Sequence, residues 1–176
     1  TSTPNVGMFM VAEKTKIGGP LRVLLATTHV ALKKVPDLIS PQILVSQTTL
    51  LSDALQNEWG IPEPRIGLCA LNPHASDGGL FGNEEELLFH PAIEVLQETG
   101  VNVQGPIPAD SVFRRALIGE FDAVVAPYHD LGMAAFKTVT FGQGVNVTLG
   151  LPFVRTSPDH GTAFDLAGKG QAHTSS

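Results

Sequence analysis

The chain has 176 residues, 43% of them hydrophobic, with 18 Gly, 13 Pro and one Cys, enough for one packed domain or a domain and a half joined by many tight turns. A formal net charge of −6 and the lack of any basic run argue against nucleic acid; the single Cys69 excludes a disulfide scaffold and fits a reducing, cytoplasmic setting. No apolar stretch reaches the roughly 18 residues of a membrane-spanning helix, no signal peptide is visible, and an opening on TSTPNVGMFMVA that is strand-like by residue 7 carries the expectation of a natural N-terminus further upstream.

Apolar runs at residues 6–12 and 21–26 read as strands. Ser40-Pro41 has the grammar of a helix start, and Leu44, Leu51 and Leu55 recur at helical spacing until Trp59-Gly60. Residues 65–71 are strand-like, and 72–82 form a loop with three Gly. Asn83 followed by three Glu opens another helix, its acids where the helix dipole favours them; Pro91 splits or bends it and Gly100 ends it. Residues 110–120 read as a helix, 121–126 as a buried strand and 132–139 as a helix. Residues 145–149 and 153–154 read as short strands around a Gly-Leu-Pro turn, and 159–167 has helix character. Strands alternating with helices give an α/β fold with a largely parallel sheet.

In such sheets ligands collect at the carboxyl ends of the strands. His29, His74 and His129 each stand just past an apolar run, so they share one edge and are placed to converge. Three imidazoles suit a divalent transition metal and leave a coordination position open, as catalytic sites do. Asp130, beside His129, is placed to complete the shell or orient a ligand. A loop histidine bonded to backbone is the plainer reading of any one of the three.

Lys137, Asn146 and Arg155 surround FGQGVNVTLGLPFVRTS, where Arg offers a planar fork and Lys a point charge to a carboxylate or phosphate. Solvated surface cations are the alternative there. Within DHGTAFDLAGKG, Asp159 or Thr162 is a helix-cap candidate whose free N–H groups suit an anion; a plain N-cap accounts for the same pattern. No GxGxxG follows the first strand, so a Rossmann fingerprint is absent.

Taken in order, TTHVALKKVPD, LNPHASDGGLFGNEE, GPIPAD, YHDLG and GVNVTLGLPFVRTSPDHGTAFDLAGKG, from about residue 5 to 170, resemble the 4-hydroxythreonine-4-phosphate dehydrogenase family of vitamin B6 (pyridoxal phosphate) biosynthesis. The resemblance implies a three-layer α/β/α fold like that of isocitrate and isopropylmalate dehydrogenases. Residues 1–120, approximately, would form a metal-binding and dimerisation domain, and 121–176 a segment of the substrate and cofactor cleft. It implies oxidation of a secondary hydroxyl by NAD or NADP and loss of carbon dioxide, giving 3-amino-1-hydroxyacetone phosphate. His29, His74 and His129 would hold a divalent metal (zinc, or Mg, Co or Mn) shared across a homodimer. Lys137, Asn146 and Arg155 match substrate-binding positions; Asp110 and Asp130, with Lys137, match groups near the reacting atoms. Similarity of the final segment to isopropylmalate dehydrogenase makes His160, Gly161 and Thr162 the cofactor candidates.

Two departures accompany the resemblance. Family chains are nearly twice this long, the difference being mainly N-terminal and including a substrate-binding His-Thr pair just before Thr1. Leu131 stands where the family commonly has Gln, which removes an amide near the metal. Two alternatives remain open: a sister dehydrogenase acting on phosphothreonate or phosphoerythronate, and a non-catalytic metal-binding dimerisation fragment.

Overall fold

A computed structural model of the protein describes residues 5–140, 142–159 and 164–171. The strands are β1 (Gly7–Ala12), β2 (Leu21–Leu25), β3 (Ile66–Cys69), β4 (Val103–Ile107), β5 (Ala123–Ala126), β6 (Val145–Leu149) and β7 (Thr156–Pro158). The α-helices are α1 (Val35–Leu38), α2 (Pro41–Asn57), α3 (His90–Glu98), α4 (Ala109–Leu117) and α5 (His129–Thr140). One sheet runs β4-β3-β5-β2-β1-β6-β7, so the residues on both sides of position 120 contribute to it.

The sheet is mixed, which corrects the expectation of a largely parallel one. β2, β5, β3 and β4 pair in parallel, whereas β1 is antiparallel to β2 and β6, and β6 to β7. The cause lies in the connections. Residues 13–20 and 150–155 are short Gly- and Pro-containing turns with no helix, and a turn of that length can return the chain only antiparallel. The second strand of the Gly-Leu-Pro hairpin is also displaced: Thr156–Pro158 pairs with β6 rather than residues 153–154. Phe153 and Val154 stay exposed on the turn.

Strand side chains alternate between two apolar layers, as the pleat requires. Phe9, Leu24, Ile66, Leu68 and Val125 face α2 and α3, meeting Leu44, Leu51, Leu55, Phe89 and Leu96. Met10, Val23, Leu25, Val124 and Ala126 face α4 and α5, meeting Val112, Phe113, Met133 and Phe136. The result is the three-layer α/β/α arrangement. Ser40 caps α2 by accepting from the Ile43 N–H at 3.3 Å, with Pro41 at the first position. Pro91 marks the break expected in the next helix: a π-helical turn, Glu85–Phe89, precedes α3.

Candidate active site at the strand ends

β3, β5 and β2 are adjacent and parallel, so the chain leaves all three toward the same edge. β2 and β5 stay zipped beyond their last strand residues. The Ala26 N–H donates to the Ala126 carbonyl at 2.9 Å and the Thr27 N–H to the Pro127 carbonyl at 3.2 Å. The buried Thr27 hydroxyl adds a 2.8 Å bond to that same carbonyl. The two loops therefore emerge side by side, and the rings of His29 and His129 lie 5.0 Å apart, centroid to centroid.

His129 is the first residue of α5, which starts three residues before the expected 132. Its Nδ1 is 2.7 Å from an Asp130 carboxylate oxygen. That contact fixes the ring and leaves Nε2 for another partner. The pair lines a cavity of about 570 Å³ together with Met8, Met10, Asp130, Lys137, Asn146 and Asp159. A neighbouring cavity of about 350 Å³ joins His29 and Asn146 to Thr148 and Arg155. Arg155 donates to the Thr148 hydroxyl at 2.8 Å, and the Lys137 ammonium donates to the Asp159 carbonyl. Asn146 Oδ1 and Asp159 Oδ2 are buried without a hydrogen-bond partner among the described residues, so each is an acceptor still to be satisfied.

His29, His129, Asp130, Lys137, Asn146 and Arg155 are thus gathered around adjoining cavities. His74 is not. It follows β3 at the same edge, but it lies exposed with its ring 6.3 Å from that of Phe81, and lines neither cavity. Within one chain, therefore, two of the three histidines come together and His74 stands apart. Among the described residues no group of three His, Cys, Asp or Glu side chains stands together as a metal site. Asp110 sits exposed in the first turn of α4 and lines neither cavity. His160, Gly161 and Thr162 lie outside the described residues.

One group near this edge, Glu85, had no distinguishing signal in the sequence, whereas the burial of Cys69 follows from its place in an apolar run. Glu85 is buried, its carboxylate accepting from the N–H groups of Leu71 and Asn72 at 2.9 and 2.7 Å and from the Ser76 hydroxyl. Nothing in a run of three Glu says which one is buried. Cys69 is pushed up to about 12 by burial, then by the charges of Glu85 and Asp110, so its thiol stays protonated and unreactive. In kind, the donor set fits a divalent cation: two imidazoles side by side, one held by a carboxylate, beside the positive charge of Lys137 for an anionic ligand. In number, two nitrogens from one chain fall short of a closed set.

A mixed α/β fold with paired histidines and cationic side chains at the strand ends defines a class in which a small charged ligand would be held beside a cation. Comparison with known proteins supplies the family. The sequence pattern described as "Pyridoxal phosphate biosynthetic protein PdxA" matches residues 1–176, and the chain belongs to that family. The 4-hydroxythreonine-4-phosphate dehydrogenase of Ralstonia nicotianae is 46% identical over 175 residues, covering 99% of this chain and 52% of the relative. The crystal structure of 4-hydroxythreonine-4-phosphate dehydrogenase from Klebsiella pneumoniae superposes with a TM-score of 0.88 at 40% identity, covering 98% of this chain and 51% of that one. A terephthalate 1,2-cis-dihydrodiol dehydrogenase from Burkholderia xenovorans superposes at 0.77 with 28% identity, covering 96% and 51%. The chain thus spans about half the length of the curated relatives it matches. Among the described residues no helix is long and apolar enough to cross a membrane.

Proposed function

We propose that the protein, as a whole, is an NAD- or NADP-dependent 4-hydroxythreonine-4-phosphate dehydrogenase. It oxidises and decarboxylates its substrate to 3-amino-1-hydroxyacetone phosphate in pyridoxal phosphate biosynthesis, in a cytoplasmic setting that keeps Cys69 reduced. The observation that carries the reading is the His29–His129 pair, 5.0 Å apart beside Lys137 and Asn146, in a chain whose relatives bear that name.

His29 and His129 would hold a divalent cation, zinc or else Mg, Co or Mn, with His74 arriving from the second subunit of a homodimer. Such a cation, when bound, polarises a substrate oxygen and lowers the pKa of a hydroxyl. Exposed apolar groups flank both histidine loops, with Leu32 at 66% and Leu80 at 71% exposure, as suits surfaces that a second copy covers. Asp130 holds His129 in one tautomer through Nδ1. Lys137 and Arg155 would take the phosphate and carboxylate, converting remote binding into orientation of the carbon that reacts. Asn146 would contribute its amide to the same ligand. Of the groups that the resemblance sets near the reacting atoms, Asp130 and Lys137 line the cavity and are suited to move the hydroxyl proton; Asp110 is assigned there by resemblance alone. His160, Gly161 and Thr162 are assigned to the nicotinamide cofactor by resemblance alone.

The test is turnover of the whole protein with NAD or NADP, each divalent ion in turn and 4-hydroxythreonine 4-phosphate, read as reduced nicotinamide and carbon dioxide. Faster turnover of phosphothreonate or phosphoerythronate would shift the assignment to a sister enzyme. The dihydrodiol dehydrogenase likeness makes that comparison necessary, since a protein of the same fold is named for a different hydroxyl substrate. Metal uptake with no turnover on any of these would leave a metal-binding dimerisation module.

A further inference from the structure

We infer that Glu85 is a positioning residue for His74, acting through a left-handed turn that its carboxylate holds closed. This rests on the reading of His74 as a metal ligand and deepens it. His74, Ala75, Ser76 and Asp77 have φ of 53°, 53°, 69° and 44°, followed by Gly78 at 65°. Four consecutive residues bearing a Cβ therefore lie where that atom crowds the next carbonyl. Such a run persists only where the surroundings over-determine it. Glu85 provides the constraint. It is 2% exposed and belongs to the turn anchored by the fully buried Phe89. One carboxylate oxygen accepts from the Leu71 and Asn72 N–H groups, which pins the chain before the turn. The other accepts from the Asn72 amide at 2.9 Å and from the Ser76 hydroxyl, which pins it within the turn. The clamp thus closes at positions 72 and 76, two residues either side of His74, and fixes the backbone from which the exposed imidazole projects. No bond joins Glu85 to the ring itself, so its action is on the direction of the ligand. Burial raises the Glu85 carboxyl, but the Asn72 and Ser76 donors outweigh this and keep it below the usual range. The clamp is therefore a charged acceptor with four donors, the strong form of such a bond.

The experiment uses the whole protein as wild type, Glu85→Gln, Ser76→Ala, Ala75→Gly and the Glu85→Gln/Ala75→Gly double variant. Co²⁺ affinity and visible spectrum are measured, with amide exchange across residues 71–78 and far-UV circular dichroism. Glu85→Gln should weaken Co²⁺ about tenfold or more and speed exchange at 71–78 while leaving the circular dichroism unchanged. Ser76→Ala, which removes one strut, should do so more mildly and serves if Glu85→Gln fails to fold. Ala75→Gly should rescue part of the Glu85→Gln loss, because glycine adopts the left-handed turn without strain. A folded Glu85→Gln protein with wild-type affinity, or a Co²⁺ loss without faster exchange at 71–78, would overturn the inference. If wild type takes up no Co²⁺, the ligand reading of His74 fails, and unchanged exchange in Glu85→Gln would independently overturn the clamp.

Discussion

His29 and His129 are one hundred residues apart in the chain, yet their rings are 5.0 Å apart. Their meeting is a consequence of strand order: β2 and β5 are parallel neighbours, and the Ala26, Thr27 and Pro127 bonds continue the pairing until the two loops diverge. The Thr27 hydroxyl is the side chain in that zip, and it is buried. Thr27→Val keeps the shape and removes the bond to the Pro127 carbonyl, so urea denaturation should register a loss of about 1–2 kcal/mol. An unchanged midpoint would show that the zip rests on backbone bonds alone.

Asp130 offers a sharper test because its carboxylate is largely solvent-exposed and contributes little packing. Asp130→Asn should leave thermal stability unaltered but weaken divalent metal binding roughly tenfold, since the Nδ1 contact that orients His129 loses its charge. Calorimetric titration of the whole protein measures both affinities, and equality between them would remove Asp130 from the account.

The helix bearing His129 and Lys137 lies very close to the sheet at Gly132. A Cβ there would come within 2.5 Å of Leu25 Cδ2 and 3.1 Å of Ala126 Cβ. Both neighbours are buried in the same layer, so the helix must lift to accept even a methyl group. Gly132→Ala should destabilise the fold by about 1–3 kcal/mol. It should also raise the KM for phosphorylated substrate by moving Lys137; a KM unchanged in the folded variant would detach Lys137 from substrate binding.

Two carboxylates that are at least half-buried, Asp122 and Glu85, shape the acid limb of stability. Burial raises Asp122, but the Arg65 guanidinium and N–H outweigh it and hold the carboxyl below its usual range; Glu85 is held low by Asn72 and Ser76 in the same manner. A folded-state pKa below the unfolded one adds stability that is present above the unfolded value and disappears as pH falls through the folded one. Stability should therefore be level from pH 7 to about 5 and decline below about 4, the ordinary carboxylate range. In Glu85→Gln that decline should be shallower. An acid limb of undiminished steepness in the variant would show that Glu85 titrates alike in both states.

Much of this arrangement could be read from residues alone, and what could not has identifiable causes. Ser40-Pro41 announced α2 because capping is local chemistry. Apolar runs marked β1, β2, β3 and β5 because burial on both faces demands them, and the alternation of Val145, Val147 and Leu149 marked the half-buried β6. β4 carried no such signal: VQGPI interrupts its apolar residues with Gly and Pro, which an edge strand tolerates. Residues 153–154 looked like a strand because Phe and Val favour one, but they stay exposed on the turn and pairing begins at Thr156. The strand-end positions of the histidines were legible. Which two would meet was not, because that depends on β5 inserting between β3 and β2 and on the left-handed course of residues 74–78.

In the proposed dimer, His29 and His129 of one subunit form a site with His74 of another. Co-expression of the whole protein as His74→Ala together with His129→Ala distinguishes this arrangement from a site within one subunit. Each variant alone lacks one ligand at every site, and both should be inactive. A mixed dimer pairs the intact His29 and His129 of one subunit with the intact His74 of the other, restoring one site of two. Since about half of randomly assorted dimers are mixed, activity should return to about a quarter of wild type. Co-expressed subunits that assemble into mixed dimers and remain as inactive as either parent would contradict it.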